Sequence, residues 1–175
     1  MEKIILNEKD NTFNIGGIEF IKVTEENGEV SAVAKDLVFR SEFGKNNNFA
    51  KSGILKKLNK EILPKIADAI GEENILEHEV NLTSLDGLKT YGSIKSKISI
   101  PTFDFYRENV DVFDKHKVDT WWWLATPDTT PEHLNDTWCR CVSLGGYISI
   151  NYCNYDDGVR PFLKFVSSIF VSDEE

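Results

Sequence analysis

The chain of 175 residues reads as one α+β domain, a twisted antiparallel sheet with short flanking helices. Three observations predict this. Runs rich in Val, Ile, Phe, Trp and Tyr alternate with Gly-Gly, Asn-Gly and Asp-Gly turn signals. Only residues 54–70 carry apolar side chains at sustained helical spacing. No linker, repeat or low-complexity segment separates a second domain, so 1–45 reads as a β meander, 46–113 as a helical and irregular insert, and 114–171 as a β region.

Taken in order, residues 2–6 and 13–23 read as strands, the second punctuated by Gly16-Gly17 as a tight turn or bulge. Glu26-Asn27-Gly28-Glu29 is a hairpin signal, and Val30 to Arg40 is strand-like again. After the polar Asn46-Asn47-Asn48, the stripe Ile54, Leu55, Leu58, Ile62, Leu63, Ile66, Ile70 predicts helix. Pro64 predicts a break into helices near 51–60 and 64–70, closed by Gly71. From 75 to 100 the pattern weakens, with turns at Asp86-Gly87 and Tyr91-Gly92. Thr102 followed by Asp104 is a helix start, with the helix ending about Asn109. Strands are then expected at Trp121–Pro127, Trp138–Leu144, Tyr147–Tyr152 and Val159–Val171, with turns at Gly145-Gly146 and Asp156-Asp157-Gly158.

Composition narrows the function. Hydrophobic residues are 41% and charged residues 28%, and no apolar run is long enough to span a membrane, so a soluble, cytoplasmic protein is expected. Net charge is −9; residues 1–60 carry ten Lys/Arg against nine Asp/Glu, and residues 61–175 carry ten against twenty. An acidic surface repels phosphate backbones, which argues against direct nucleic-acid binding. The same surface can compete for a basic groove in another protein. Lys outnumbers Arg, and Asn and Ile are plentiful, a bias of AT-rich bacterial or phage genomes.

Cys139 and Cys141 fall on one face of a strand, with Cys153 nearby in sequence. No fourth Cys or well-spaced His completes a zinc tetrahedron, so buried thiols are expected and no metal or other cofactor. His78, His116 and His133 are scattered, and there is no nucleophile elbow, phosphate loop or His-Glu-x-x-His. Catalysis is not expected.

Several segments together resemble a family of domains from bacteria and their phages. They are Asn48-Phe49-Ala50 through Leu63-Pro64, Ile100-Pro101-Thr102 with Tyr106-Arg107, Trp122-Trp123-Leu124-Ala125-Thr126-Pro127, Val142 to Gly146, and Gly158-Val159-Arg160-Pro161. The family is similar in turn to the C-type-lectin-like group, which includes formylglycine-generating enzymes and phage receptor-binding domains. Relatives show Arg-Ser where this chain has Ala125-Thr126. The resemblance implies a C-type-lectin-like sheet, with Trp121, Trp122, Trp123 and Arg160 as its architectural signature. The lectin calcium motifs are absent.

Side chains alternate along a strand, so Trp121 and Trp123 share one face and Trp122 takes the other. Arg160 is expected to be buried and bonded to carbonyls or a carboxylate. The loops between 127 and 158 are the expected recognition surface, with candidate binding residues Asp128, Glu132, Asp136, Trp138, Tyr147, Tyr152, Tyr155, Asp156 and Asp157. The expected function is a non-enzymatic protein-binding module of phage or mobile-element origin. One form is an anti-defence inhibitor of a host nuclease, acting in the host cytoplasm. The alternatives are a receptor- or glycan-binding module of a virion or cell surface, and an oxidase of the formylglycine-generating type using Cys139 and Cys141.

Overall fold

Paired residues with positive φ make the first two hairpins. The computed structural model describes residues 2–174. After β1 (Ile4–Leu6), strands β2 (Thr12–Ile15), β3 (Ile18–Glu26) and β4 (Glu29–Ala34) form an antiparallel meander. Gly16 and Gly17 have φ of 60° and 80°, and Asn27 and Gly28 have 52° and 77°, the left-handed pairs that two-residue hairpins require. Gly16 has a second constraint, because a Cβ there would lie 2.8 Å from the Lys65 carbonyl oxygen. The expected strand from Val30 to Arg40 is in fact two. β4 ends at Ala34, and β5 (Phe39–Ser41) belongs to a different sheet.

The helical stripe forms one continuous helix. Ser52 caps it, its hydroxyl accepting from the Leu55 N–H at 3.0 Å. α1 (Gly53–Lys57) runs through a π-turn at Leu58–Ile62 into α2 (Leu63–Ile70), which Gly71 closes with φ 86°. The break expected at Pro64 does not occur. Leu63 N–H bonds to the Leu58 carbonyl five residues back, so the π-turn ends just before the proline, which stands in the first turn of α2 where its missing N–H is tolerated. The same turn keeps Ile54, Leu58, Ile62, Ile66 and Ile70 on one buried face. A pure α-helix would rotate such a four-residue spacing by about 40° per step.

Beyond the helix come β6 (Ile75–Leu76), β7 (His78–Asn81) and β8 (Ser93–Ser96), then α3 (Phe103–Glu108) and α4 (Val110–Lys115). Thr102 caps α3, accepting from Phe105 N–H at 3.2 Å. α4 was not anticipated; its signals are the Asn109 boundary and the Val110–Phe113 spacing. β9 (Trp122–Pro127), β10 (Trp138–Val142), β11 (Ile148–Tyr152), β12 (Asp157–Val159), β13 (Phe162–Val166) and β14 (Phe170–Ser172) complete the chain. The long strand expected over Val159–Val171 is therefore three, because Pro161 cannot donate to a ladder and the chain changes sheet there. The result is mixed helix and strand: two five-stranded sheets, ordered β2-β3-β4-β13-β6 and β11-β10-β9-β12-β5, with small pairs β1-β14 and β7-β8. β1 lies outside the N-terminal meander and pairs in parallel with β14. Among the described residues no helix is long and apolar enough to cross a membrane.

Arg160 sits where the chain passes between the sheets twice, from β4 to β5 and from β12 to β13. It is 1% exposed. Its Nε donates to the Ala34 carbonyl and its Nη2 to the Lys35 carbonyl, both at 3.0 Å, with His116 O at 3.4 Å. Its guanidinium lies 4.7 Å from the Trp122 ring centroid and 5.6 Å from that of Phe113. Burial lowers its pKa to about 10, which leaves it charged. Both sheet faces are covered. Trp123 and Ala125 pack into the core under the long helix, with Trp121 partly buried beside them, while Trp122 and Leu124 join Tyr106 and Phe113 under α3 and α4. Trp123 Nε1 donates to the Ser41 carbonyl at 2.9 Å, so burying this ring, about 5 kcal/mol of apolar area, leaves no polar atom unpaired.

Candidate functional site

The segment between β9 and β10 is polar and short of regular structure, yet it is braced from two sides. Asn47 is fully buried. Its Nδ2 donates to the Thr129 carbonyl at 2.8 Å and the Trp138 carbonyl at 3.0 Å, its N–H donates to the Asp136 carbonyl at 2.7 Å, and its Oδ1 accepts from the Tyr91 hydroxyl at 2.6 Å. One amide thus saturates both ends of the loop. From the other side, residues 84–91 grip it: Leu85 N–H bonds Pro127 O at 2.9 Å, and Thr90 Oγ1 meets Thr130 Oγ1 at 2.7 Å and Glu132 Oε1 at 2.9 Å.

Asp86 is the centre of that grip. It accepts from the Ser84 hydroxyl, from Thr129 Oγ1 at 2.6 Å, and meets His133 Nδ1 at 2.7 Å. These bonds, the Ser84 hydroxyl first, hold its pKa down to about 2. At the tip, Leu134 has φ 60° and ψ 24° and is 96% exposed. Left-handed backbone at a leucine costs about 1–2 kcal/mol, so this residue is both strained and unburied on a loop fixed on either side.

The nine expected binding residues do not share one surface. Glu132 and Asp136 lie on the braced loop near Leu134 in sequence. Asp128 is taken by Arg140, whose buried Nε has no hydrogen-bond partner. Trp138 and Tyr152, opposite each other on β10 and β11, stack with ring centroids 3.8 Å apart, and Tyr155 meets Tyr152 edge-on at 5.6 Å. Tyr147 is exposed but flanks the other end of β11, about 17 Å of strand from Tyr152. Asp156 pairs with Arg40 at 3.6 Å. Asp157 is buried, accepts from Asn151 Nδ2 at 2.6 Å, and has its pKa raised by burial. It is an internal carboxylate and is not part of an acidic loop surface.

Cys139 and Cys141 share the inner face of β10, as the strand period predicts, and Cys153 is also buried. Burial raises all three, Cys141 to about 12 and Cys139 well above the ordinary thiol range. At neutral pH all three are thiols and not thiolates. Among the described residues no group of three His, Cys, Asp or Glu is arranged to hold a metal ion. Thr126 Oγ1 accepts from Phe103 N–H at 2.9 Å and so ties β9 to the start of α3. Asn47 and Leu134 were missed by the sequence reading. Comparison with protein families, with curated proteins and with solved structures finds no match to this chain.

Proposed function

We propose that the chain is a non-enzymatic protein-binding module that contacts its partner through residues 127–138, with Leu134 as the apolar anchor. The observation that supports this most is the strained, fully exposed Leu134 on a loop held by Asn47 and Asp86. A rigid loop loses little entropy on docking, and an apolar side chain already in water gains by burial. Glu132 and Asp136 flank the anchor, so the partner surface it fits is an apolar socket rimmed by Lys and Arg. Proteins that handle nucleic acids present such basic rims. The sequence signatures, which resemble phage and bacterial C-type-lectin-like domains, agree with loop-borne recognition on a sheet scaffold. In this reading the protein is a phage or mobile-element inhibitor of a host defence nuclease, acting in the host cytoplasm.

The test is affinity capture from nuclease-treated bacterial lysate with three baits: the native chain, Leu134→Asp, and Glu132→Gln with Asp136→Asn. A basic nucleic-acid-handling protein held by the native chain and lost by both variants is the expected result. Equal retention by all three, or no specific protein, overturns it. The stacked Trp138–Tyr152 pair beside Tyr155 favours a second reading, a receptor- or glycan-binding module of a virion. That reading requires glycan binding lost in Tyr152→Ala and insensitive to salt.

A further inference from the structure

A cavity of about 490 Å³ opens between β3, β7, α3 and β13, away from every residue of the 127–138 loop in its lining. Its walls carry Phe105 and Phe162, whose ring centroids are 4.8 Å apart and whose planes are nearly perpendicular. Glu26, Glu79 and Glu108 line it from three separate elements. All three are exposed, and among the described residues none takes part in an ion pair. The single cation in the lining, Lys164, already faces Glu29 at 4.0 Å.

The cavity also contains a buried polar group short of partners. His78 is 6% exposed, and its Nε2 lies 2.7 Å from Ser99 Oγ. Its Nδ1 has no partner in hydrogen-bonding geometry. Burial holds the ring down to about 4, with the Leu76 carbonyl pulling it upward and Lys164 pushing it down, so at neutral pH it adds no positive charge.

We propose that this cavity binds an organic cation of the guanidinium class. The three exposed glutamates supply the attraction and accept its N–H donors, and the partly exposed ring of Phe105 receives the planar group. A guanidinium can come from a free small molecule or from an arginine side chain of a docked protein; the recognising chemistry is the same. The inference does not depend on the role given to Leu134.

The experiment is an amide NMR titration of the full chain with methylguanidinium, with a capped Gly-Arg-Gly peptide, and with benzoate as the anionic control. Saturable shifts at Val80, Ser99 and Phe105 with the cations alone are expected. Glu79→Gln with Glu108→Gln should weaken binding about tenfold. Both side chains are exposed, and unchanged amide shifts elsewhere verify that the variant is folded. Tighter binding of the peptide assigns the site to an arginine of a partner; binding of equal strength assigns it to a small molecule. Absence of saturation with either cation, identical affinity in the double variant, or the same shifts from benzoate overturns the proposal.

Discussion

His133 Nδ1 lies 2.7 Å from Asp86 Oδ2, so the residue just before the exposed Leu134 is tied to a different loop. The tie also involves Thr129 and Ser84, which bond the same carboxylate. Its consequence is that Leu134 projects from a fixed platform. Removing the tie without touching Leu134 should therefore weaken partner binding while leaving the core intact. For His133→Ala the expected loss is about tenfold in affinity, with the urea midpoint nearly unchanged, since surface pairs contribute little to stability. Equal affinity for His133→Ala and the native chain would show that the brace does not matter.

Leu134 itself separates binding from stability more sharply. Leu134→Gly removes the left-handed strain, and the entropy that glycine adds to the unfolded chain takes back part of the gain. Stability should stay level or rise by up to about 1 kcal/mol, while the partner is lost. Chemical denaturation and a pull-down on the same sample measure both. A large drop in stability would mean that the leucine has a structural role its exposure hides.

Much of the local structure was legible because it depends on neighbours in sequence. Gly16-Gly17 and Asn27-Gly28 demand left-handed backbone, Thr102 demands a helix start, and strand parity alone separates Trp122 from Trp123. What was hidden is non-local. Nothing in Asn46-Asn47-Asn48 marks the middle residue as the buried one, because its side-chain partners lie 44, 82 and 91 residues away. The split of the last strand at Pro161 accompanies a change of sheet between β12 and β13, which only the assembled sheets create, and Arg160 reaches back from that crossing to Ala34 and Lys35. Pro64 misled for a different reason, since the π-turn that absorbs it has no sequence signature. For the candidate site, the loop between residues 127 and 138 could be read from its polarity, but its anchor could not, because a lone leucine in a polar stretch gives no sign of its backbone conformation.

Arg160 should tolerate no substitute. Lysine keeps the charge but cannot span the Ala34 and Lys35 carbonyls with one planar group, nor lie flat against Trp122. Arg160→Lys should cost about 3 kcal/mol, read as a shift in the urea midpoint, and Arg160→Met at least as much because the carbonyls then lose their donors. A loss below about 1 kcal/mol for either would mean that water can replace the guanidinium at the sheet crossing.

His78 sets a pH dependence whose sign is fixed by burial. Its folded pKa is about 4 against an ordinary value of 6.5, so the unfolded chain takes up the proton first as pH falls. The stability it supports is complete above 6.5, declines between 6.5 and 4, and levels off below, a loss on the order of 3 kcal/mol. His116, also lowered first by burial, adds to the same decline. Asp157 acts in the opposite sense just above the ordinary carboxylate range, because its raised pKa makes the folded chain the better proton acceptor there. Asp86 contributes only below that, between 3.8 and about 2. Urea unfolding at pH 7.5 and pH 5 should thus show a fall in the native chain and a shallower fall in His78→Gln. An equal fall in both would mean that His78 is hydrated enough to titrate in the folded state as it does in the unfolded one.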